Sequence, residues 1–284
     1  MSDRRLIVRR PGALTTVQDL GRPGWKHLAV PRSGVLDGPA ASRANRLVGN
    51  SPDAAVLETT MDGVGFALPE GGWICVTGAA APVTVDGRPA AWSTAVWVAP
   101  GGEVEVASAV RGVRCYVAVD GGVDAPPVLG SRATDLLSGL GPPPLRPGDR
   151  LALGVAGSPP QVDGAPSPAL PGELTSLRIL PAPRSDWLTE EGSAVLTSAS
   201  YTVSPDSNRV AIRLAGPPLM RRPGELPSEG TVLGGVQVPA DGQPLIFLAD
   251  HPTTVGYPVV AIVSPDDLWQ CAQLRPGSTI RLFW

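Results

Sequence analysis

Short runs rich in Val, Ile, Thr and Trp, broken by glycine and proline, recur along the whole chain: GWICVTGA, PVTVDGRPA, STAVWVAPGGEVEVASA, VRCYVAVDGG, RVAIRLAG and PLIFLAD. Runs of this length between turn residues predict many short strands. In VTVDGRPA the pair Asp86-Gly87 carries a strong hairpin signal. WVAPGGEVEV predicts a second hairpin, with apolar and polar positions alternating after the turn.

Helical spacing is rare. LDGPAASRANRLVGN places Ala40, Ala41, Ala44, Leu47 and Val48 on one face, with Asp37 positioned to cap and Gly49 to stop the helix. SPDDLWQCAQLRPG offers Ser264 as cap, Pro265 in the first turn, and Asp266 and Asp267 at the positive end of the dipole. A weaker helix runs through DWLTEEGSAVL, and Ser131 before RATDLL reads as a further helix cap.

A local echo suggests two halves. LRPGDRLAL (145–153) returns as LRPGSTIRLF (274–283), each time a Pro-Gly turn leading into a strand. The segment between them, GVAGSPPQVDGAPSPALPGE, has no periodicity and reads as a linker. The expected division is a β-rich domain over 1–160 and a second over 161–284.

Composition sharpens this reading by exclusion. The chain has 284 residues, 43% hydrophobic and 17% charged, which is globular; Gly and Pro, 34 and 33, are spread throughout. A net charge of −3 gives no electrostatic case for nucleic acid or an anionic membrane. No stretch has the length of a membrane span and no apolar signal core follows MSDRR, so the expectation is a cytoplasmic protein. Cys75, Cys115 and Cys271 are too far apart for a metal knuckle, and buried inert thiols are expected at 75 and 115. With His27 and His251 as the two histidines, no metal site is expected.

Familiar catalytic signatures are missing. Neither a phosphate-cradling GxxxxGK[ST] loop nor a GxSxG elbow is present. Lys26 is the single lysine, and GWKHLA is neither a biotinylation site nor a Ser-Ser-Lys amidase setting. Three polar, glycine-rich loops remain. The first, TTVQDLGRPGWKHLAVPRSGVLDGPAASRANRLVGN, holds Gln18, Asp19, Arg22, Ser33 and Asp37. The second, AVDGGVDAPPVLGSRATDLL, holds Ser131 and Arg132. The third, GGVQVPADGQPLIFLADHPTTVGYP, holds Gln237, Asp250, His251, Thr253, Thr254 and Tyr257. Arginine, hydroxyls and backbone N–H groups in such loops suit carboxylate, amide or bicarbonate-like ligands. The plainer readings are an Asp19–Arg22 ion pair at i, i+3 and backbone bonding by Asn45 and Asn50. Gly256, set among polar groups at a strand end, suggests a close backbone approach.

These loops, in order and over nearly the whole chain, resemble the allophanate hydrolase subunit 2 family. TTVQDLGRPG, SGVLDGPAASRANRLVGN and LETT are similar to its N-terminal signature, YVAVDGGVDAPPVLGSRATD to its central motif, and GGVQVPADGQPLIFLADHPTTVGYPVVAIV with DLWQCAQLRPG to its C-terminal one. Where the family usually has two glycines before Tyr-Pro, Val255 replaces the first. The resemblance implies a mainly β fold of two cyclophilin-like β-barrel domains. It also implies a role as the C component of an ATP-dependent 5-oxoprolinase. The partners it implies are a B component of the allophanate hydrolase subunit 1 type and an A component, with ATP bound elsewhere in the complex. A carboxyltransferase receiving carboxybiotin, or an antagonist binding a kinase inhibitor, are the alternatives it carries. Under the oxoprolinase reading, Asp250 or Asp19 is expected as base, with Arg22 or Arg132 on the substrate carboxylate. Thr253, Thr254 and Tyr257 are expected to supply hydrogen bonds.

Overall fold

The computed structural model describes residues 3–160 and 168–284. The expected domain boundary at 160/161 and the centre of the expected linker fall at 161–167, outside the described residues. The chain forms two compact units. One comprises Met1–Arg22, Asp37–Asp135 and Gly139–Leu170; the other comprises Pro23–Leu36, Leu136–Ser138 and Pro171–Trp284. Two excursions from the first half of the sequence therefore belong to the second unit.

The first unit is built on two sheets. One has the order Arg150–Ala152, Arg5–Arg10, Val64–Leu68, Gly102–Val106, Val83–Val85, Arg88–Ala90. The other runs Leu14–Gln18, Val56–Thr60, Arg111–Val119, Gly72–Ala80, Val96–Val98. Leu6, Val8, Phe66 and Val104 of the first sheet and Leu57, Ile74, Val76 and Val117 of the second share one core. Arg111–Val119 is buried on both faces. Its other face meets helix α1 (Gly38–Leu47), whose Ala40, Ala41 and Ala44 are small enough to lie close to the sheet. Asp37 caps α1 by accepting the Ala40 N–H, and its own N–H donates to the buried Tyr116 hydroxyl.

The second unit contains a closed seven-stranded barrel: Leu174–Pro181, Val259–Val263, Gly235–Gln237, Leu245–Phe247, Ala211–Ala215, Ser200–Val203, Thr279–Phe283. It closes where Leu174–Arg178 pairs in parallel with Thr279–Phe283. Period-two alternation drives the closure: Leu177, Ile179, Tyr201, Val203, Ile280 and Leu282 point inward. Helices α2 (Glu190–Ser198), capped by Thr189, and α3 (Pro265–Cys271), with Ser264 as its cap residue, complete the unit. The mainly β class with a few short helices is as expected. A closed barrel occupies the second unit, whereas the first holds a pair of sheets.

Asp86 and Gly87, both left-handed, join Val85 to Arg88 in the expected hairpin. WVAPGGEVEV does not form one. Val96–Val98 pairs with Gly72–Ile74 in one sheet and Gly102–Val106 joins the other, so Pro100-Gly101 is a corner between sheets. Gly102–Val106 is paired on both sides, by Val64–Leu68 and Val83–Val85, so tertiary pairing overrode the local pattern. The echoed turns do share a local form, with Gly148 and Gly277 both at φ 88°. Their strands pair differently, Arg150–Ala152 antiparallel to Arg5–Ile7 and Thr279–Phe283 parallel to Leu174–Arg178.

Candidate functional site

Each unit carries one of the polar clusters, and in both a carboxylate holds a loop. In the first unit the strand Leu14–Gln18 ends at Asp19. Its Oδ1 accepts the Gly21 N–H at 2.8 Å and the Ser131 hydroxyl at 2.5 Å; Oδ2 accepts the Arg132 N–H at 2.6 Å. Ser131 starts no helix, contrary to expectation. Its hydroxyl is committed to Asp19 and accepts the Ala133 N–H instead. A tight turn through Leu129 and Gly130, both at positive φ, joins Val128 to Ser131 and presents Arg132.

Arg22 is not paired with Asp19 either. Its side chain is fully buried and donates to the carbonyls of Ala133 and, at 3.4 Å, Val128, with Asp135 Oδ2 at 3.9 Å. Gln18 donates to the Thr134 carbonyl at 3.0 Å. Arg22 and Gln18, expected to touch substrate, hold segment 128–135 through these bonds, while Arg22 Nη1 and Gln18 Oε1 are buried without a hydrogen-bond partner among the described residues. Asn45 and Asn50 bond backbone as anticipated, to Ala54 at 2.8 Å and Val119 at 2.9 Å.

Arg132 reaches an open cleft of about 210 Å³, lined also by Asp53, Ala54, Ala55, Gly121, Gly122, Val123 and Asp124. Its Nη2 donates to Asp124 Oδ1 at 2.9 Å, while Nε is buried with no hydrogen-bond partner among the described residues. Asp53 and Asp124 carried no signal in the sequence beyond their nearness to the glycines.

In the second unit Asp250 follows the strand Leu245–Phe247 and is fully buried. Arg209, itself 2% exposed, grips it at both oxygens (2.9 and 3.0 Å), and the Ser33 hydroxyl donates to Oδ1 at 2.7 Å. Arg209 also donates to the Gly34 carbonyl at 2.7 Å, and Ser33 N–H to the Ala249 carbonyl at 3.0 Å. Ser33 and Gly34 sit at φ 53° and 93°, so this loop holds a turn that an L-residue adopts reluctantly. Arg209, in SNRVAIRL, has no local mark distinguishing it from other arginines and went unnoticed in the sequence.

His251 is buried next to Phe247. The Thr231 hydroxyl donates to the Pro252 carbonyl, so its oxygen is an acceptor for His251 Nδ1 at 2.9 Å; Nδ1 also lies 2.8 Å from the same carbonyl. Two acceptors around Nδ1 place the hydrogen there and leave Nε2 as the basic nitrogen. Nε2 has no hydrogen-bond partner among the described residues. Burial lowers the His251 pKa below its ordinary value; Lys26 adds to that, while the bond to Pro252 and the charge of Asp250 oppose it. Lys26 is exposed and donates to the Thr231 carbonyl at 2.7 Å.

Gln237 donates to the Tyr257 carbonyl at 3.3 Å, and the exposed Tyr257 ring lies under Arg221 at 5.8 Å. Thr253 accepts the Thr231 N–H through its carbonyl, and Thr254 stands exposed on a short strand paired with Glu229–Gly230. Val255 packs against the small cluster of Ala211, Leu245 and Phe247. No close approach explains Gly256: a side chain there would meet only the Leu226 carbonyl, at 3.4 Å. All three cysteines are buried free thiols, with burial pushing each pKa up to about 12.

The family model for the carboxyltransferase domain, subdomain A and B, matches residues 28–284. The chain is 36% identical over 282 residues to the C component of 5-oxoprolinase from Escherichia coli (strain K12), covering 97% of this chain and 89% of that protein. The crystal structure of TTHA0988 superposes with a TM-score of 0.90 at 36% identity, over 99% of this chain and 55% of that one. K. lactis urea amidolyase superposes with a TM-score of 0.91 at 29% identity, over 98% of this chain. The chain thus spans about half the length of the TTHA0988 chain and 18% of the amidolyase.

Proposed function

We propose, for a chain that belongs to the carboxyltransferase domain family, subdomain A and B, that it works as the C component of a heteromeric, ATP-dependent 5-oxoprolinase. The observation that carries this reading is the near end-to-end match to a 5-oxoprolinase C component, against a match to one segment of the far longer amidolyase. The reaction is hydrolysis of the lactam of 5-oxoproline. Phosphoryl transfer from ATP to the lactam oxygen activates the ring carbon, and water adds there. The C–N bond then breaks to leave an acyl phosphate, and a second water releases glutamate and phosphate.

This chain's residues do not suit the nucleotide. No phosphate-cradling loop is present, and the single lysine is spent on the Thr231 carbonyl. ATP therefore belongs to a partner, the A component expected beside the B component. The part left to this chain is to bind and orient the lactam and to move protons.

Three acceptor positions of each candidate carboxylate, Asp19 and Asp250, are already occupied, out of about four on a carboxylate. Both are positioning residues, and the base role passes to His251. Its Nδ1–H is fixed by Thr231 and Pro252, burial keeps it neutral, and Nε2 is the basic atom. Thr254 and Tyr257, exposed at the same loop, remain candidates for contact with substrate.

Glutamate release from 5-oxoproline with ATP, by this chain together with its A and B partners, tests the reading. Release that stops when this chain is omitted is the expected result; equal release without it overturns the assignment. The second reading is carboxyl transfer from carboxybiotin, favoured by the family match and the likeness to urea amidolyase. It requires carboxylation of an amide substrate dependent on a biotin carrier.

A further inference from the structure

The open cleft of the first unit has a chemistry narrower than its size suggests. Along the 121–124 wall every backbone N–H is already taken: Gly121 by the Asn50 side chain at 2.8 Å, Gly122 by Val119 at 2.8 Å, Val123 by Ala55 at 3.0 Å and Asp124 by Ala152 at 2.8 Å. This wall is therefore not an anion nest, and recognition falls to the side chains of Asp53, Asp124 and Arg132. Their net charge is −1, which disfavours a ligand carboxylate inside the cleft. Gly122, at φ 69°, forms part of the floor, and a side chain there would press on Ala54 at 3.2 Å.

Arg132 and Asp124 form a half-exposed pair, 2.9 Å apart. Such pairs contribute little to folding. Their joined edge nevertheless shows a guanidinium donor beside a carboxylate acceptor. A cis amide, in which N–H and C=O lie on one side of a small ring, is the complement of that edge. Arg132 would donate to the carbonyl and Asp124 accept the N–H. Two further features mark Arg132 as more than a surface cation. Its backbone N–H is locked on Asp19 at 2.6 Å, and its Nε is buried without a hydrogen-bond partner among the described residues. A buried unsatisfied polar atom is costly and calls for an explanation; Arg22 Nη1 and Gln18 Oε1 share that condition.

We propose that this cleft is a subsite for an uncharged cyclic cis-amide or ureido group, read by the Arg132–Asp124 edge, with Asp19 as the positioning residue beneath it. The inference goes beyond the oxoprolinase reading: the cleft is a binding position of the first unit, whereas the His251 loop to which proton transfer is assigned belongs to the second. A lactam ring that enters keeps any carboxylate it bears toward solvent. The ureido ring of a biotin group presents the same N–H and C=O pair, so the probes must separate the two sources.

Ligand-observed NMR titration of the full chain with 2-pyrrolidinone, 5-oxoproline, 2-imidazolidinone and biotin methyl ester tests this without any turnover. Saturable binding of 2-pyrrolidinone, tighter than that of 5-oxoproline, is expected. Arg132→Gln should weaken it by about tenfold or more, the loss of one charge-assisted hydrogen bond. Asp124→Asn, which removes a negative charge, should shift the preference toward 5-oxoproline. Ala54→Leu should block the cleft while leaving the unfolding midpoint within a few degrees of wild type. Tighter binding of the two ureido probes than of the lactams would keep the subsite and assign it to biotin. Absence of saturable binding for all four probes, or binding indifferent to Arg132→Gln and Ala54→Leu, overturns the proposal. Lactam binding without glutamate release would sink the oxoprolinase reading and leave the subsite standing; release without binding here would do the reverse.

Discussion

Two carboxylates, Asp19 and Asp250, solve the same problem with different chemistry. Each fastens a left-handed turn that no regular element would hold: Leu129-Gly130 in the first unit, Ser33-Gly34 in the second. Asp19 is half-buried and accepts only neutral donors, two backbone N–H groups and one hydroxyl. Asp250 is wholly buried and faces a guanidinium across two bonds, with one hydroxyl added. A carboxylate that keeps some solvent can be satisfied by neutral donors. One taken fully out of water needs an opposite charge, and that charge then needs its own acceptors, here Asp250 and the Gly34 carbonyl. The second anchor is therefore the more brittle.

Mutation should expose that difference most strongly at Arg209. Arg209→Ala strands a buried charge at Asp250, and we expect about 3–5 kcal/mol of lost stability in urea unfolding of the full chain. A double variant, Arg209→Met with Asp250→Leu, should recover much of it; if the double variant were as unstable as the single one, packing rather than charge would be the cause. Asp19→Asn should cost less, about 1–3 kcal/mol, because its donors lose a partner without leaving a naked charge. Equal losses at the two sites would erase the comparison. Ser33→Ala removes a single hydroxyl from Asp250 and should cost about 1 kcal/mol, leaving the Arg209 grip intact.

His251 adds a pH signature confined to the second unit. Its folded pKa lies below the unfolded value of about 6.5. Between those two values the unfolded chain binds a proton that the folded chain refuses, so folding stability rises with pH through that window. Its contribution is complete above about pH 6.5 and is lost as pH falls toward the lowered value. Comparing unfolding midpoints at acid and neutral pH, His251→Gln should show a shallower dependence than wild type; an unchanged slope would mean that other groups set it.

How far the sequence anticipated this depends on the range of each interaction. The Asp37 cap of α1, the Asp86-Gly87 hairpin and the alternating strands of the barrel are set by neighbours a few residues apart, and each could be read locally. The WVAPGGEVEV segment could not. Its pattern suits a hairpin, but its two arms have better partners in separate sheets. Ser131 carries the residue type of a helix cap, yet a carboxylate 112 positions away claims its hydroxyl. The polar loops were recognisable as clusters of glycines and donors. What holds each group was not, because Arg209 and Thr231, which grip Asp250 and bond His251 Nδ1, lie in segments with no mark of their own.

The reassignment of the base from the carboxylates to His251 is the point on which the proposed chemistry turns. Glutamate release by the assembled complex, followed across pH for wild type, His251→Asn and Asp250→Asn, tests it directly. His251→Asn is predicted to lower kcat by about a hundredfold or more and to remove the acid limb of the pH profile. Asp250→Asn, measured on the folded fraction, is predicted to keep the shape of that profile. Full turnover in His251→Asn, or an acid limb that disappears only in Asp250→Asn, would contradict the account.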